Sequence, residues 1–234
     1  MRMSDIELYH YPATRSSRVK WLLHELVGDA FKVKRIDLNS LEAYSPDYLR
    51  LNPNHNVPLI RFRMGGGEVV TAMESGAILT LLADAFPERQ LAPKPAPLSA
   101  ERADYLQMLY FGASAMDMML WQIRIHEHVL TDMQKDQRTI ARYRKKFMTE
   151  VEPQLAARLD RGGFICGPAF SAADCMIGHG VLWAKAYGMC RGEVFDQYVG
   201  RLAGRESFAM AFADRDELTL QVPPDAPVLE VFTG

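Results

Sequence analysis

Apolar and polar positions follow two different periods in the first part of the chain. Residues 6–9 alternate between apolar and polar side chains, as a half-buried strand does, whereas valine and leucine recur at every third or fourth position over 19–26. Residues 31–38 are rich in β-forming side chains and mostly alternate again. The pattern predicts a strand, a helix and a second strand parallel to the first, since a helical crossover returns the chain to the same end of the sheet.

A hairpin and a helix are predicted next. Residues 57–63 and 68–71 flank three consecutive glycines at 65–67, and glycine supplies the positive φ that a tight reversal needs. Apolar side chains then return to helical spacing over 78–85. The order βαβ followed by ββα is the thioredoxin-like plan, so we expect an α/β domain that ends near residue 86.

The remainder of the chain has a helical pattern after a short interruption. Residues 87–98 contain four prolines, a composition suited to an extended linker. From Ser99, apolar residues advance by threes and fours and predict one long helix to about residue 128. We expect a second long helix over 133–161.

A third helical region is predicted from a capping motif. Ser171 and Asp174 have the spacing of a capping box, in which each residue hydrogen-bonds the backbone of the other and starts a helix. Shorter helices are expected between residues 194 and 214, and an extended surface tail is expected over 221–234. The C-terminal part is therefore predicted to be all-α.

Composition excludes several classes of function. The 27 basic and 29 acidic residues give a formal net charge of −2, so no global field attracts nucleic acid or an anionic membrane. The N-terminus has no apolar signal core, and no stretch approaches the roughly 18 to 20 apolar residues of a membrane span. Cys166, Cys175 and Cys190 lack the spacing of a disulfide framework or a zinc site. We expect a cytoplasmic protein that holds no metal.

Two short segments predict a site for a small peptide. Pro58 lies in an apolar run and cannot donate to a ladder, which indicates a sheet edge where main-chain groups are exposed for a peptide-like ligand. Glu74 and Ser75 open an apolar helix, where free amides and the positive end of the dipole favour a bound carboxylate.

These features occur in an order that resembles the cytosolic glutathione S-transferase family. The sequence over 8–12 and 18–23 is similar to that of bacterial members. The resemblance implies a thioredoxin-like domain at 1–86, a linker at 87–98 and an all-helical substrate domain at 99–234. It also implies a detoxifying homodimer with glutathione as cosubstrate, whose thiolate is transferred to an electrophilic and mostly apolar substrate.

The resemblance assigns roles to the two segments. Pro58 is expected to be cis, and the main chain of Val57 is expected to pair with the cysteinyl unit of glutathione. Glu74 suits the ammonium of the γ-glutamyl end, and Ser75 suits its carboxylate. Asn56 stands where many members have lysine or glutamine near the glycyl carboxylate, and an ordinary turn residue is an equal alternative there.

The resemblance implies an active site that lowers the pKa of the glutathione thiol, since the thiolate and not the thiol is the nucleophile. Aligning the Arg-Val pair at 18–19 with that of serine-type members places Thr14 at the hydroxyl position. Ser16 is the second candidate, and Tyr11 is the third because other members use a phenol from the end of the first strand. Arg15 either adds positive potential near the thiolate or is a solvated charge. Capping of the first helix is the alternative for both hydroxyls.

Two further expectations concern the chemistry. The loop over 13–17 has no cysteine, which argues against thiol–disulfide exchange through a protein thiolate and therefore against thiol–disulfide reductase activity. The site of the second substrate is expected against the long helix, with Met108, Phe111 and Met116 as its residues out of a wider set that also contains Tyr110, Met119 and Trp121. Methionine at helical spacing more often packs in a core.

Two other functions stay open at the level of sequence. A non-catalytic interaction module that retained the fold is one alternative, and the presence of Glu74 and Ser75 weighs against it. A glutathione-dependent isomerase is the other, and the hydroxyl-rich loop at 14–17 matches that group only partly.

Overall fold

The structure is a computed structural model and describes residues 3–218. The tail predicted over 221–234 lies outside the described residues.

The N-terminal part contains a four-stranded sheet with strand order β2-β1-β3-β4. Strands β1 and β2 are parallel, and the other two pairs are antiparallel, which confirms the predicted arrangement. Its elements are β1 (Ser4–His10), α1 (Ser16–Val27), β2 (Lys32–Arg35), α2 (Pro46–Leu49), β3 (Leu59–Arg63), β4 (Val69–Met73) and α3 (Ser75–Ala85).

Alternation along β1 divides the sheet between two apolar clusters. Ile6 and Leu8 pack into the main core together with α1 and α3. Tyr9 points to the opposite face and joins a smaller cluster with Tyr48 of α2 and Leu59 of β3. The period of two along a strand accounts for this division, because successive side chains point to opposite faces. The βαβ and ββα order predicted from the sequence is confirmed.

The prediction of a sheet edge at Pro58 is wrong, because β3 lies between β1 and β4. Pro58 immediately precedes the first residue of the strand, a position where a missing N–H does not interrupt the ladder. The peptide bond between Val57 and Pro58 is cis, as expected.

Helices make up the C-terminal part. They are α4 (Ala100–Phe111), α5 (Asp117–Arg124), α6 (Gln137–Lys146), α7 (Glu152–Gly162), α8 (Ala172–Ala186), α9 (Glu193–Ala203) and α10 (Glu206–Ala211). The two long helices predicted from the sequence are present, and each contains a π-helical turn that joins α4 to α5 or α6 to α7. None of the helices within 3–218 has the length and apolarity needed to cross a bilayer.

Helix α8 is the central helix of this part and is buried along most of its length. The predicted capping box is present at its start, where Asp174 Oδ2 accepts from the backbone N–H of Ser171 at 2.9 Å. Between α3 and α4 the chain forms one 3₁₀ turn, Pro87–Arg89, and then no regular element. The exact division into 1–86, 87–98 and 99–234 stays a prediction.

A buried ion pair joins the sheet to the helices. Arg18 of α1 is fully buried, and its two terminal nitrogens donate to both carboxylate oxygens of Asp117 in α5, at 2.6 and 2.8 Å. Burial acts to raise the pKa of Asp117, but Arg18 and Arg15 outweigh it and hold that pKa well below its ordinary value. Asp117 is therefore ionised at neutral pH.

The same guanidinium also contacts α8. Its Nε donates to Nδ1 of His179 at 3.1 Å. Burial, together with the charge of Arg18, lowers the pKa of His179 to about 3, so the imidazole is neutral and accepts this hydrogen bond. Arg18 thus links three helices through one side chain.

We expect Arg18→Met to lower the free energy of unfolding at pH 7 by about 3–5 kcal/mol, because it leaves the buried carboxylate of Asp117 without its principal partner. Arg15→Met is the matched control, since it retains the bidentate pair, and it is expected to cost less. Urea unfolding followed by circular dichroism measures both.

The cost of Arg18→Met is also expected to depend on pH. The folded-state pKa of Asp117 is lowered, so its stabilising contribution is complete above the unfolded value of about 3.9 and is lost as the pH falls through the folded value. The difference between wild type and Arg18→Met is therefore expected to narrow below about pH 4. A pH-independent difference would show that packing, and not the ion pair, accounts for the loss.

Candidate functional site

A cleft of about 700 Å³ lies between the end of the sheet and the long helix. One wall contains the six residues that the sequence predicts to bind glutathione itself: Arg15, Asn56, Val57, Pro58, Glu74 and Ser75. The opposite wall is the long helix, which contributes Ala113, Ser114, Ala115, Asp117, Met118 and Trp121. The structure therefore brings the two predicted segments together in one concave site.

Glu74 and Ser75 form one corner of the cleft. Glu74 has φ 69° and ψ 112°, a backbone conformation that a non-glycine residue rarely adopts and that recurs at binding sites. Ser75 is the first residue of α3 and is buried, so its N–H is one of the helix N-terminal amides that have no partner within the helix.

The hydrogen bond from Arg18 makes the Ser75 hydroxyl an acceptor on that side and leaves its proton for another partner. Arg18 Nη1 donates to Ser75 Oγ at 3.2 Å, so Ser75 accepts from Arg18. No acceptor for the hydroxyl proton itself occurs within 3–218. Ser75 therefore offers two donors, its N–H and its O–H, to a carboxylate in the cleft.

Asp117 supplies a second negative charge at this corner. Its carboxylate lines the cleft, although Arg15 and Arg18 both donate to it. With Glu74, it gives the corner two acidic groups beside the two donors of Ser75. Sequence reasoning missed this residue. The sequence signal that could have identified it is its place as the one acidic side chain in the apolar run over 116–120, because a buried charge needs a partner.

Asn56 forms the other end of the cleft. Asn52 is buried and donates from Nδ2 to the carbonyl and to Oδ1 of Asn56, at 2.8 and 2.9 Å. The hydroxyl of Tyr48 also donates to that carbonyl, at 2.5 Å. Both oxygens of Asn56 thus have donors, which leaves its amide N–H₂ available to a ligand. The turn and ligand-binding alternatives are compatible at this residue.

None of the three candidate thiol donors, Thr14, Ser16 and Tyr11, is among the residues that line the cleft, and two of them are buried. Ser16 is fully buried, and its Oγ lies 2.7 Å from His10 Nδ1 and 3.1 Å from the N–H of Tyr11. Tyr11 is buried in the smaller apolar cluster, and its hydroxyl accepts from Asn39 at 2.6 Å. Direct contact of either group with a ligand thiol is contradicted by this burial.

Thr14 is half-buried and directly precedes Arg15, which lines the cleft. Its Oγ1 donates to the carbonyl of Tyr11 at 2.7 Å and lies 2.9 Å from Ser16 Oγ. The capping alternative is wrong for both hydroxyls, because the N-cap of α1 is Arg15 and no side chain caps it. The contact of Thr14 with a thiol stays a prediction.

Arg15 is not a freely solvated charge. Its Nε donates to Asp117 Oδ2 at 2.7 Å, and its guanidinium carbon lies 5.2 Å from the ring centroids of both Trp121 and Trp183. Aromatic faces attract a cation at this distance. The side chain is thereby held between the loop, the long helix and α8.

The expectation for the second substrate is wrong for its three principal residues, whereas Trp121 of the wider set does line the cleft. Met108 and Met116 are buried in the core, and Phe111 packs against it, so none of the three lines the cleft. The helix instead presents Met118 and Trp121, both partly exposed, to the cleft. The most apolar stripe of an amphipathic helix faces the core, and the cleft receives the neighbouring face.

Known proteins resemble the chain over most of its length. The family model described as Glutathione S-transferase, N-terminal domain, matches residues 4–84. Disulfide-bond oxidoreductase YfcG of Escherichia coli is 29% identical over 179 residues, which cover 72% of this chain and 75% of that protein. Glutathione S-transferase 1 of Dianthus caryophyllus is 36% identical over 90 residues, 38% of each chain.

Solved structures agree with the sequence comparisons. The ternary complex of BphK, a bacterial GST, superposes with a TM-score of 0.75 at 26% identity and covers 90% of this chain and 99% of that one. A glutathione transferase from Burkholderia graminis, with two glutathione molecules bound per subunit, has a TM-score of 0.78 at 22% identity and covers 95% and 90%. Residues 4–84 thus match the N-terminal domain of the glutathione S-transferase family, and the chain over most of its length is similar to members of that family.

Proposed function

We propose that the cleft binds glutathione, stabilises its thiolate and transfers it to an electrophilic carbon. The observation that carries the proposal is the corner at Ser75, where two hydrogen-bond donors lie beside the carboxylates of Glu74 and Asp117. The γ-glutamyl end of glutathione carries the complementary pair, one carboxylate and one ammonium, on a single carbon.

The other parts of glutathione match the rest of the wall. Val57 lies two residues before β3, outside the strand pairing, so its main chain is suited to pair with the cysteinyl unit. The free amide N–H₂ of Asn56 is suited to the glycyl carboxylate. The order of ligand groups along the cleft is then the order of the tripeptide.

The chemistry would take place at the loop after β1. Thr14 would donate to the thiolate, and the positive charge of Arg15 would favour ionisation of the thiol. Met118 and Trp121 give the neighbouring wall a soft, aromatic surface, which suits a flat and mostly apolar electrophile. We further propose that two such chains form a homodimer, because Leu81 and Tyr110 expose apolar surface. Sedimentation equilibrium measures the mass in solution, and the mass of a monomer would contradict the proposal.

A second activity is favoured by the Escherichia coli relative, whose name is disulfide-bond oxidoreductase. The absence of a loop cysteine does not oppose this activity if glutathione supplies both thiols. One glutathione thiolate attacks the substrate disulfide and releases one thiolate, and a second glutathione attacks the mixed disulfide and releases the other. A neighbour from Pseudomonas putida was solved with glutathione disulfide bound.

Removing the corner groups is expected to weaken glutathione binding. Ser75→Ala and Glu74→Gln are each expected to lower the affinity by about 10- to 100-fold, because hydrogen bonds to charged groups contribute about 1.5–3 kcal/mol. Glu68→Gln, in the exposed hairpin turn, is the matched control and is expected to bind as wild type does.

Isothermal titration calorimetry with glutathione and with S-hexylglutathione measures these affinities. Failure of wild type to bind either ligand would contradict the transferase proposal and favour the non-catalytic interaction module. Unchanged affinity in both corner variants would place the γ-glutamyl group elsewhere.

Thr14→Val is expected to reduce the ultraviolet absorbance of bound thiolate at neutral pH by about tenfold while glutathione still binds, because it removes the hydroxyl donor and raises the thiol pKa by about one unit. Thr14→Ser is expected to restore the signal. Thr71→Val, on the exposed side of β4, is the control.

Turnover of the same variants separates the two candidate activities. Conjugation of 1-chloro-2,4-dinitrobenzene tests the transferase, and reduction of hydroxyethyl disulfide tests the oxidoreductase. Full thiolate formation in Thr14→Val would show that another group, such as a loop amide or Arg15, stabilises the thiolate.

A further inference from the structure

A chain of buried and partly buried hydrogen bonds runs behind the loop from Thr14 to the C-terminal part of the protein. Thr14 Oγ1 lies 2.9 Å from Ser16 Oγ, which lies 2.7 Å from His10 Nδ1. The other ring nitrogen of His10, Nε2, lies 3.0 Å from Asp214 Oδ2. Lys20 donates to the same carboxylate oxygen at 2.7 Å. The chain therefore connects the cleft loop with a carboxylate 200 residues away in sequence.

The charges at the far end determine the tautomer of His10. Burial acts to raise the pKa of Asp214, but the hydrogen bonds from His10 and Lys20 outweigh it and hold that pKa far below its ordinary value. Burial lowers the pKa of His10, against the opposing effect of Asp214, so the ring is neutral at neutral pH. An ionised carboxylate only accepts, so Nε2 of His10 carries the proton and Nδ1 is an acceptor.

This tautomer sets the donor and acceptor at the hydrogen bonds that His10 makes. Ser16 has one hydroxyl proton, for which the carbonyl of Tyr11 lies at 3.1 Å and His10 Nδ1 at 2.7 Å. Because Nδ1 has no proton of its own and makes the shorter contact, it accepts the proton of Ser16. Ser16 Oγ then accepts from the N–H of Tyr11 and has a further lone pair for the hydroxyl of Thr14. Thr14 has one hydroxyl proton, and the carbonyl of Tyr11 at 2.7 Å and Ser16 Oγ at 2.9 Å are both within its reach. When the hydroxyl turns from Tyr11 to Ser16, the donors point away from the cleft, from Thr14 to Ser16 to His10 to Asp214.

Ser16, His10 and Asp214 are the residue types of a hydrolytic triad, but a substrate cannot reach the serine. Ser16 is fully buried, so no acyl substrate reaches its oxygen. The only member of the chain at the cleft loop that is not fully buried is Thr14. A function for these residues therefore has to act through Thr14, which the proposed function places against the glutathione thiol.

We propose that His10, held by Asp214, takes up the thiol proton of bound glutathione through Ser16 and Thr14. The thiol proton passes to Thr14 Oγ1, the Thr14 proton passes to Ser16, and the Ser16 proton passes to Nδ1 of His10. A neutral thiol and a neutral imidazole become a thiolate and an imidazolium beside the Asp214 carboxylate, so charge and protons balance. After the transfer, Thr14 donates to the thiolate.

Asp214 is suited to hold the imidazolium. Its side chain is 22% exposed, which gives the proton a route to solvent, and its Oδ1 is buried with no hydrogen-bond partner within 3–218. The other charged groups that face His10 are cations, Lys20 from α1 and Arg35 from β2. Arg35 is itself paired with Glu217. Without Asp214, these cations would oppose protonation of the ring.

His10 and Asp214 do not touch the thiol, so they are positioning residues in the proposed step. The informative variant is His10→Gln, because glutamine retains one acceptor for Ser16 and one donor for Asp214 but takes up no proton. His24→Gln is the matched control: His24 lies in α1 and contacts only Gly28, Asp29 and Phe31 in the bonds, ion pairs and ring contacts found within 3–218.

Two quantities are measured on glutathione binding below the pH at which free thiol ionises. Ultraviolet absorbance gives the thiolate formed per site, and calorimetry in buffers of different ionisation enthalpy gives the protons released. We expect wild type and His24→Gln to form more thiolate than they release protons, since His10 retains the proton. We expect His10→Gln to form about tenfold less thiolate, the effect of a shift of one unit in the thiol pKa, and to release one proton for each thiolate.

Asp214→Asn provides an independent variant if His10→Gln does not fold, and it is expected to reduce the thiolate in the same direction. If the folded variants, His10→Gln or Asp214→Asn, form as much thiolate and release as many protons as wild type, the relay is overturned and the transferase proposal is left intact. Equal counts of thiolate and released protons in wild type would also overturn it. Absence of glutathione binding in wild type would instead overturn the proposed function, and the relay with it.

Discussion

The buried guanidinium of Arg18 is the interaction on which the arrangement of the molecule depends. A buried cation is costly unless each of its donors has a partner, and Arg18 obtains its partners from three different elements. Asp117 comes from α5, Ser75 from α3 and His179 from α8. Because these hydrogen bonds require specific distances, one side chain of α1 constrains the relative positions of the sheet, the long helix and the central helix. The cleft lies at the point where these elements meet.

Fixed charges also determine what the two buried serines near the cleft can do. Ser75 accepts from Arg18, so its proton is left for a ligand. Ser16 donates to His10, so its proton is not available. The residue type is the same, and the partner decides between a binding group and a link in an internal chain. Thr14 is intermediate between the two, since it is half-buried and its hydroxyl donates to the carbonyl of Tyr11.

The absence of cysteine from the loop limits the chemistry to thiols that a ligand brings. Both candidate activities then share their first step, the formation of a glutathione thiolate, and differ in what the thiolate attacks. A carbon electrophile gives conjugation, and a sulfur electrophile gives disulfide exchange. The residues proposed to form the thiolate are consequently the same in both cases. Met118, Trp121 and Arg15 line the cleft and are the side chains that we propose to select the electrophile.

Local patterns in the sequence were sufficient for the elements and for the outline of the site. Periods of two and of about 3.6 residues predict the strands and helices, the glycines at 65–67 predict the hairpin, and the Ser171 and Asp174 spacing predicts the start of α8. Asn56 to Pro58 and Glu74 to Ser75 indicate the site because their effects on the backbone are local. Tertiary structure alone determined which helical face borders the cleft, and hence why Met118 and not Met116 lies there. It also determined the pairs that join Arg18 to Asp117 and His10 to Asp214, which are 99 and 204 residues apart. A periodic pattern identifies a buried face but contains no information about which distant group lies opposite it, so a charge pair across elements is set only when the elements pack.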